Sequence, residues 1–241
     1  AMGFIPMVLH SNPKNVMVIC FGTGNTTGTV SLFPGVQVDS IEIDGNVLSL
    51  ADHFSKWNHN AQRKKNINIH IQDGRTFTRW TKNKYDVITL EPMSPIQAGT
   101  VNLYSREFYQ LAADRLNKDG LMMQWLPLHL VGPDDAKSIL KTFQEIYPHT
   151  SIWNSFLTRI VLLVGSKEEV ALDKIRFEEI LRQTDIRNYL LLSLDNADNK
   201  HDLIRDLYPI HFSFWVCNSF HRFVFHYRNI YSFFFPSHMC Y

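Results

Sequence analysis

Apolar runs and amphipathic stretches alternate along the chain up to about residue 165. Val16-Met17-Val18-Ile19-Cys20-Phe21 is apolar at every position, which predicts a strand buried on both faces. A glycine turn and a helix through about Leu32 follow it. A second strand is predicted from Val38 to Ile43 and a helix from about Asn46 to Trp57. Further strands are predicted at Ile67–Ile71, Tyr85–Leu90 and Leu121–Leu126. Between the last two, Phe108, Leu111, Ala112 and Leu116 share one stripe of a helix predicted from Ser105 to Leu116, with Asp119-Gly120 as its left-handed stop. A helix from Pro133 to Ile146 then leads into Thr150–Trp153 and a strand at Ile160–Val164, which read as a hairpin. Near-continuous apolar strands separated by helices predict a parallel sheet covered on both faces. With right-handed crossovers this becomes a doubly wound, mostly parallel α/β sheet with an antiparallel edge hairpin.

The pattern changes at about Ser166. Residues 166–210 read as a peripheral helical extension, with a helix from Asp173 to Gln183 and a short apolar stretch at Leu190–Leu194. Residues 211–241 form an aromatic tail with no clean period, and His221, Arg222, His226 and Arg228 among its rings argue against a membrane span. It reads equally as a docked tail, a partner-binding patch or a non-native ending, and no function is assigned to it.

Composition narrows the function classes. The 241 residues carry 24 Lys+Arg against 23 Asp+Glu, a balance without the positive excess that nucleic-acid binding by a broad basic face requires. A small anionic ligand is still compatible with it. The 3 cysteines, Cys20, Cys217 and Cys240, make neither a disulfide framework nor a zinc site, and a reducing, cytoplasmic setting is expected. Cys20 has no acid–base partner beside it in the sequence and is not expected to be a nucleophile. The 11 histidines lack ligand spacing, so no metal site is expected. The N-terminus has no signal peptide or transmembrane pattern, and Ala1-Met2 reads as a remnant of cloning.

Chemistry concentrates at the ends of the predicted strands. Gly22, Gly24 and Gly28 follow the first strand and approximate a dinucleotide-binding glycine turn, though not at its usual spacing. Glu42, near the end of the second strand, lies about 20 positions beyond the glycines, where an acid can accept both ribose hydroxyls. Its neighbour Asp44 reads as a helix cap. Asp73-Gly74 follows the third strand; the acid there suits an adenine amino group, or else another helix cap. Polar sites at successive strand ends place a binding crevice along one edge of the sheet.

The order glycine turn, Ile41-Glu42-Ile43-Asp44, Asp73-Gly74-Arg75, Tyr85-Asp86-Val87-Ile88 and a proline-containing loop resembles the spermidine synthase family. The tract Asn102 to Tyr109, with Gly120 and Gln124 after it, is similar to the same family, as are Pro6 and His10-Ser11-Asn12-Pro13-Lys14. The resemblance covers roughly residues 4–165. It implies the fold of the S-adenosylmethionine-dependent methyltransferases, with residues 1–165 as a Rossmann-like nucleoside-binding domain. It also implies aminopropyl transfer from decarboxylated S-adenosylmethionine to a polyamine such as putrescine. Neither a metal nor a tightly bound cofactor is implied, because the nucleoside is a co-substrate. By the same resemblance Glu42 binds ribose, Asp73 and Gly74 lie at the adenine, and Gly22 and Gly24 lie against the nucleoside. Glu91 orients or deprotonates the acceptor amine, and Ser94, Tyr104 and Gln124 are further substrate-pocket candidates. The family's oligomeric form, a homodimer, is implied as well.

The sequence departs from the family where the reaction would occur. The loop Glu91-Pro92-Met93-Ser94-Pro95 keeps an acid at its first position, but Ser94 stands where the family has a second aspartate. Thr23, Asn25 and Thr26 stand where the family tends to have Gly, Asp and Gly. The family's N-terminal β-rich segment, which helps form the polyamine site and the dimer, is missing from the sequence. The loop followed by Ile96-Gln97-Ala98-Gly99 resembles a branch of spermidine-synthase-like proteins in which the domain can be fused to membrane segments. Three readings stay open at this point: aminopropyl transfer, methyl transfer from S-adenosylmethionine to a less cationic acceptor, and a non-catalytic binding or interaction module.

Overall fold

The computed structural model describes residues 1–155 and 159–194; the expectations for the end of the extension at 195–210 and for the tail at 211–241 lie outside them. Among the described residues seven strands form one sheet: β1 (Asn15–Ile19), β2 (Gln37–Glu42), β3 (Ile67–Ile71), β4 (Tyr85–Leu90), β5 (Leu116–Pro127), β6 (His149–Asn154) and β7 (Ile160–Ser166), in the order β3-β2-β1-β4-β5-β7-β6. The first five in that order pair in parallel, while β7 runs antiparallel to both β5 and β6. This is the expected mostly parallel sheet with an antiparallel edge hairpin. The chain winds outward from β1 to β3, then returns to place β4 on the other side of β1. That reversal opens a crevice between the carboxyl ends of β1 and β4.

Alternation along each central strand supplies two cores. On one face Val16, Val18, Val38, Val87 and Met123 pack with Met7 and Val8 of α1 (Ile5–Leu9) and Val30 of α2 (Asn25–Val30). On the other, Met17, Ile19, Ile88 and Met122 meet side chains of two longer helices, which are reached after the shorter ones.

Three expectations change here. The helix predicted over 46–57 is broken into α3 (Gly45–Ser49), a 3₁₀ turn (Ala51–Phe54) and α4 (Ser55–Asn58). The cause is the buried Asn58 amide, which donates to the carbonyls of Thr23 at 3.0 Å and Ala51 at 2.7 Å and draws the segment against the turn after β1. A short α5 (Gly74–Trp80) precedes β4, and α6 (Arg106–Ala113) ends three residues before Leu116, which instead opens β5 opposite Tyr85. Gly120 is therefore not a left-handed helix stop: it lies within β5 and is not among the positive-φ glycines. A Cβ there would lie about 3.0 Å from Asn117 O and Leu116 Cβ, so glycine accommodates close packing at the β4–β5 irregularity. Then α7 (Pro133–Ile146) occupies its predicted span and joins α6 on the second face through Tyr109, Phe143 and Tyr147.

Beyond β7, α8 (Lys174–Arg182) and α9 (Thr184–Leu194) dock on the first face. Ile180 and Ile186 enter the same core as Met2 and Met7, and the Arg176 guanidinium donates to the Met7 and Val8 carbonyls, both at 2.9 Å. These bonds satisfy carbonyls at the end of α1 that the short helix leaves without partners. Among the described residues no helix is long and apolar enough to cross a membrane.

One buried carboxylate ties three strands together. Asp39 on β2 accepts from His70 Nε2 at 2.8 Å, Tyr85 Oη at 2.7 Å, and the Asn68 and Asn83 amides at 3.3 Å. Burial alone would raise its pKa, but the hydrogen bonds from His70, Tyr85, Asn83 and Asn68 prevail and hold it below the ordinary value. Stability from this group is thus fully present above the unfolded-state pKa, about 3.9, and is lost as pH falls through the lower folded value. Asp39→Asn is expected to cost about 2 kcal/mol at pH 7, and the gap between parent and variant should narrow below about pH 4. Urea unfolding of both proteins at several pH values measures that gap; a gap independent of pH would contradict the assignment.

Candidate functional site

A cleft of about 880 Å³ opens at the carboxyl ends of β1, β2, β3 and β4. Its volume is within the roughly 300–1,000 Å³ usual for small-molecule sites. Backbone geometry shapes its floor. Cys20, directly after β1, has φ +70°, followed by Gly22 at +54° and Gly24 at +80°, so the chain turns sharply before α2 begins. A Cβ on Gly22 would meet nothing within 4 Å, so its backbone faces open space in the cleft. Gly24 is buried beneath Phe21 and does not line the cleft; Gly74 lines it and packs against Ile19.

The tips of β2, β3 and β4 each contribute one carboxylate to the cleft. Glu42 is only 6% exposed, and its two oxygens each accept one backbone N–H, from Gly22 and from Asp44, both at 3.1 Å. These bonds fix the carboxylate while leaving acceptor capacity for a ligand. Asp44 caps α3, accepting from Asn46 N at 2.9 Å, which matches its structural reading. Asp73 caps α5 with one oxygen, taking Thr76 N at 2.7 Å, as its helix-cap reading expects, and it also lines the cleft. Glu91, just beyond β4, is exposed to the cleft, and its Oε1 accepts from Thr26 Oγ1 at 2.6 Å.

The Thr26–Glu91 bond crosses the crevice between α2 and β4. Sequence reasoning recognised Thr26 only as a departure from a family pattern. Its partnership depends on β1 and β4 being neighbours, which no local spacing reveals. Cys20 sits among the acids: burial first, then Glu42, Glu91 and Asp73, push its thiol up to about 12, so it stays protonated and inert at neutral pH. Among the described lining side chains, Arg75 is the basic one. No group of three or more His, Cys, Asp or Glu is poised to hold a metal ion among the described residues.

Ser94, Tyr104 and Gln124 are brought near the loop after β4 but lie behind the cleft wall. Ser94 is 5% exposed and donates to Leu130 O at 3.3 Å. The Tyr104 hydroxyl contacts the carbonyls of Met93 and Trp125 at 3.3 and 3.4 Å, and burial raises its pKa. Gln124 is fully buried and donates to Leu103 O at 3.4 Å. Trp125, its neighbour on β5, faces the cleft instead.

Residues 1–165 match the family description "Spermine/spermidine synthase domain". The chain belongs to this family. It is similar to polyamine aminopropyltransferase 1 of Bacillus cereus, 26% identical over 184 residues that cover 73% of this chain and 66% of that protein. The polyamine aminopropyltransferase of Thermotoga petrophila is 29% identical over 160 residues, covering 65% of this chain and 53% of its own length. The match therefore spans less than two thirds of the length of these relatives. Among solved structures, spermidine synthase from Thermotoga maritima aligns with TM-score 0.64 and 26% identity, covering 76% of this chain and 64% of that one. A spermidine synthase in complex with the transition-state analogue AdoDATO aligns with TM-score 0.63 and 25% identity, covering 75% and 62%. Human methyltransferase-like protein 13 in complex with SAH, at 18% identity and TM-score 0.58 over 77% of this chain and 85% of its own, shares the fold.

Proposed function

We propose that the cleft binds an S-adenosylmethionine-type nucleoside and that the protein transfers an aminopropyl group from decarboxylated S-adenosylmethionine to an amine. The observation that carries this reading is the set Glu42, Asp73 and Glu91, placed at three strand tips around one cleft. Carboxylates there complement a donor carrying a sulfonium and an ammonium and no carboxylate. Glu42, anchored by two N–H groups, accepts the ribose hydroxyls with its remaining lone pairs. The Asp73 oxygen not used by Thr76 accepts the adenine amino group, and the Gly22 turn admits the nucleoside against bare backbone. Family similarity to polyamine aminopropyltransferases supports the reaction class.

In the transfer step, the lone pair of a neutral acceptor nitrogen attacks the methylene carbon attached to sulfur. The C–S bond breaks, its electrons neutralise the sulfonium to a thioether, and the surplus N–H proton passes to the Glu91 carboxylate and then to solvent. Glu91 stands at the crevice with one oxygen held by Thr26, which fixes its direction toward an amine. Partial burial in the cleft favours the neutral form of the acceptor amine.

One observation favours a second reading. Asn25 lines the cleft at the turn after β1, where the family tends to have an acid, and a neutral amide there does not repel the carboxylate of S-adenosylmethionine itself, as methyl transfer would require. Calorimetric titration of the chain with decarboxylated S-adenosylmethionine, S-adenosylmethionine and methylthioadenosine separates the two. Tighter binding of the decarboxylated form is expected, and the reverse preference would favour methyl transfer. Glu42→Ala should weaken methylthioadenosine binding roughly 10- to 100-fold, the scale of lost hydrogen bonds to a charged group. Unchanged affinity would remove Glu42 from the site, and no binding of any of the three to the folded chain would overturn the nucleoside reading.

A further inference from the structure

The extension after β7 reaches the cleft. Helices α8 and α9 lie beyond residue 165, where the family match ends, yet Tyr189 of α9 lines the cleft together with Thr23, Asn25 and Thr26 of the turn after β1. Its place is fixed from several directions. Ile186 is 1% exposed in the first-face core and Leu190 packs against the same core, so α9 is anchored on both sides of Tyr189. The Tyr189 ring meets the His59 ring edge-to-face, with centroids 5.6 Å apart and planes at 63°. His59 is held by its neighbour: the Asn58 side chain donates to Thr23 O at 3.0 Å and accepts from Asn60 N at 2.9 Å. A continuous set of contacts thus runs from Thr23 in the turn, through Asn58 and His59, to Tyr189. Burial lowers the pKa of both His59 and Lys64, and the charge of Asp185, one turn earlier on α9, opposes that shift at each, so the helix also faces this segment electrostatically.

With ribose and adenine held by Glu42 and Asp73 at the tips of β2 and β3, the sulfonium arm of the donor points back toward the turn after β1 and Glu91, where Thr26 crosses the crevice. Tyr189 stands beside that turn. The face of an aromatic ring attracts a cation, and the attraction grows as water is excluded from the pair. We infer that Tyr189, supplied by the extension and not by the family domain, is a contact for the cationic arm of the donor and makes the cleft prefer donor to product. This inference rests on the proposed nucleoside site. During transfer the C–S bond breaks, the sulfonium becomes a neutral thioether, and the aminopropyl nitrogen departs with the acceptor amine. The nucleoside left behind carries neither cation, so the ring strengthens binding of the donor and adds no such attraction for the product.

Calorimetric titration of the full chain with decarboxylated S-adenosylmethionine and with methylthioadenosine gives a ratio of dissociation constants that reports the preference for the charged arm. Tyr189→Leu removes the ring and should shift that ratio against the charged donor by about threefold or more, while methylthioadenosine affinity changes by less than about twofold. Tyr189→Phe keeps the ring and should leave the ratio within about twofold of the parent. Pentafluorophenylalanine at position 189 keeps the shape but reverses the charge distribution of the ring face, so it should shift the ratio in the same direction as leucine. It decides the question if leucine there prevents folding. A ratio unmoved by leucine and by the fluorinated ring would overturn the inference, as would an equal loss of both ligands, since Tyr189 would then act through packing alone. A Tyr189→Phe variant shifted as far as Tyr189→Leu would also overturn it, because the hydroxyl and not the ring would carry the effect. Failure of methylthioadenosine to bind the parent chain would instead overturn the nucleoside site on which the inference rests.

Discussion

Gly28→Ala is expected to destabilise the protein by about 3–5 kcal/mol, a large part of the roughly 5–15 kcal/mol that holds a typical domain folded. A Cβ on Gly28 would lie 2.1 Å from Asn58 O, 2.5 Å from its carbonyl carbon and 3.0 Å from its Cα. All three atoms are backbone, so no rotamer change relieves the clash; α2 and the segment ending α4 must separate. Separation also strains the Asn58 amide bonds to Thr23 O and Ala51 O, which lie in a buried or half-buried setting. The contrast is Gly22→Ala, where space is open and the cost is the left-handed φ of +54°, roughly 1–2 kcal/mol. Urea unfolding of the two variants beside the parent measures both. A Gly28→Ala variant within 1 kcal/mol of the parent would mean that α2 does not press on Asn58 as described.

The glycine turn therefore contains two kinds of glycine that look alike in the sequence. Gly22 bares backbone to the cleft, whereas Gly28 permits a helix to touch another part of the chain. Local periodicity was enough for the strand at Tyr85–Leu90 and the helix at Pro133–Ile146, because burial and propensity agree in those segments, while the strand at Ile67–Ile71 follows its β-branched propensity even though Ile71 at its end is exposed. It failed over residues 46–57 because Asn58 decides the path there through bonds to residues 7 and 35 positions away. It failed at Leu116 because cross-strand pairing with Tyr85 outweighs one apolar position on a helical stripe.

The site divides along the same line. Residues at strand tips, Glu42, Asp73 and Glu91, could be placed once the strands were placed, since the carboxyl ends of a parallel sheet share one edge. Gln124 and Trp125 could not, because adjacent strand residues face opposite sides and only the register shows which side is the cleft. The Thr26–Glu91 bond needed the neighbour relation of β1 and β4.

That bond makes the second large effect specific. Glu91→Gln is expected to lower turnover with decarboxylated S-adenosylmethionine and a bound amine by about 10²–10⁴-fold, the usual contribution of a positioned general base. Gln keeps the shape and can still accept the Thr26 hydroxyl, but it cannot take the proton released when the C–N bond forms. Nucleoside affinity should change by less than about threefold, since the proposed ribose and adenine contacts belong to Glu42 and Asp73. Thr26→Val, which removes the hydroxyl and leaves Glu91 charged, should reduce kcat by about tenfold with little change in KM, and Thr26→Ser should restore most of it. Stopped-time assays of thioether product and calorimetry of nucleoside binding supply the two readouts. If Glu91→Gln kept more than about a third of parental turnover, the proton would leave by another route and Glu91 would serve only to attract the amine. If Thr26→Val alone left turnover intact, the carboxylate would need no tether across the crevice, and the chemistry would depend on charge at the β4 tip without a fixed direction.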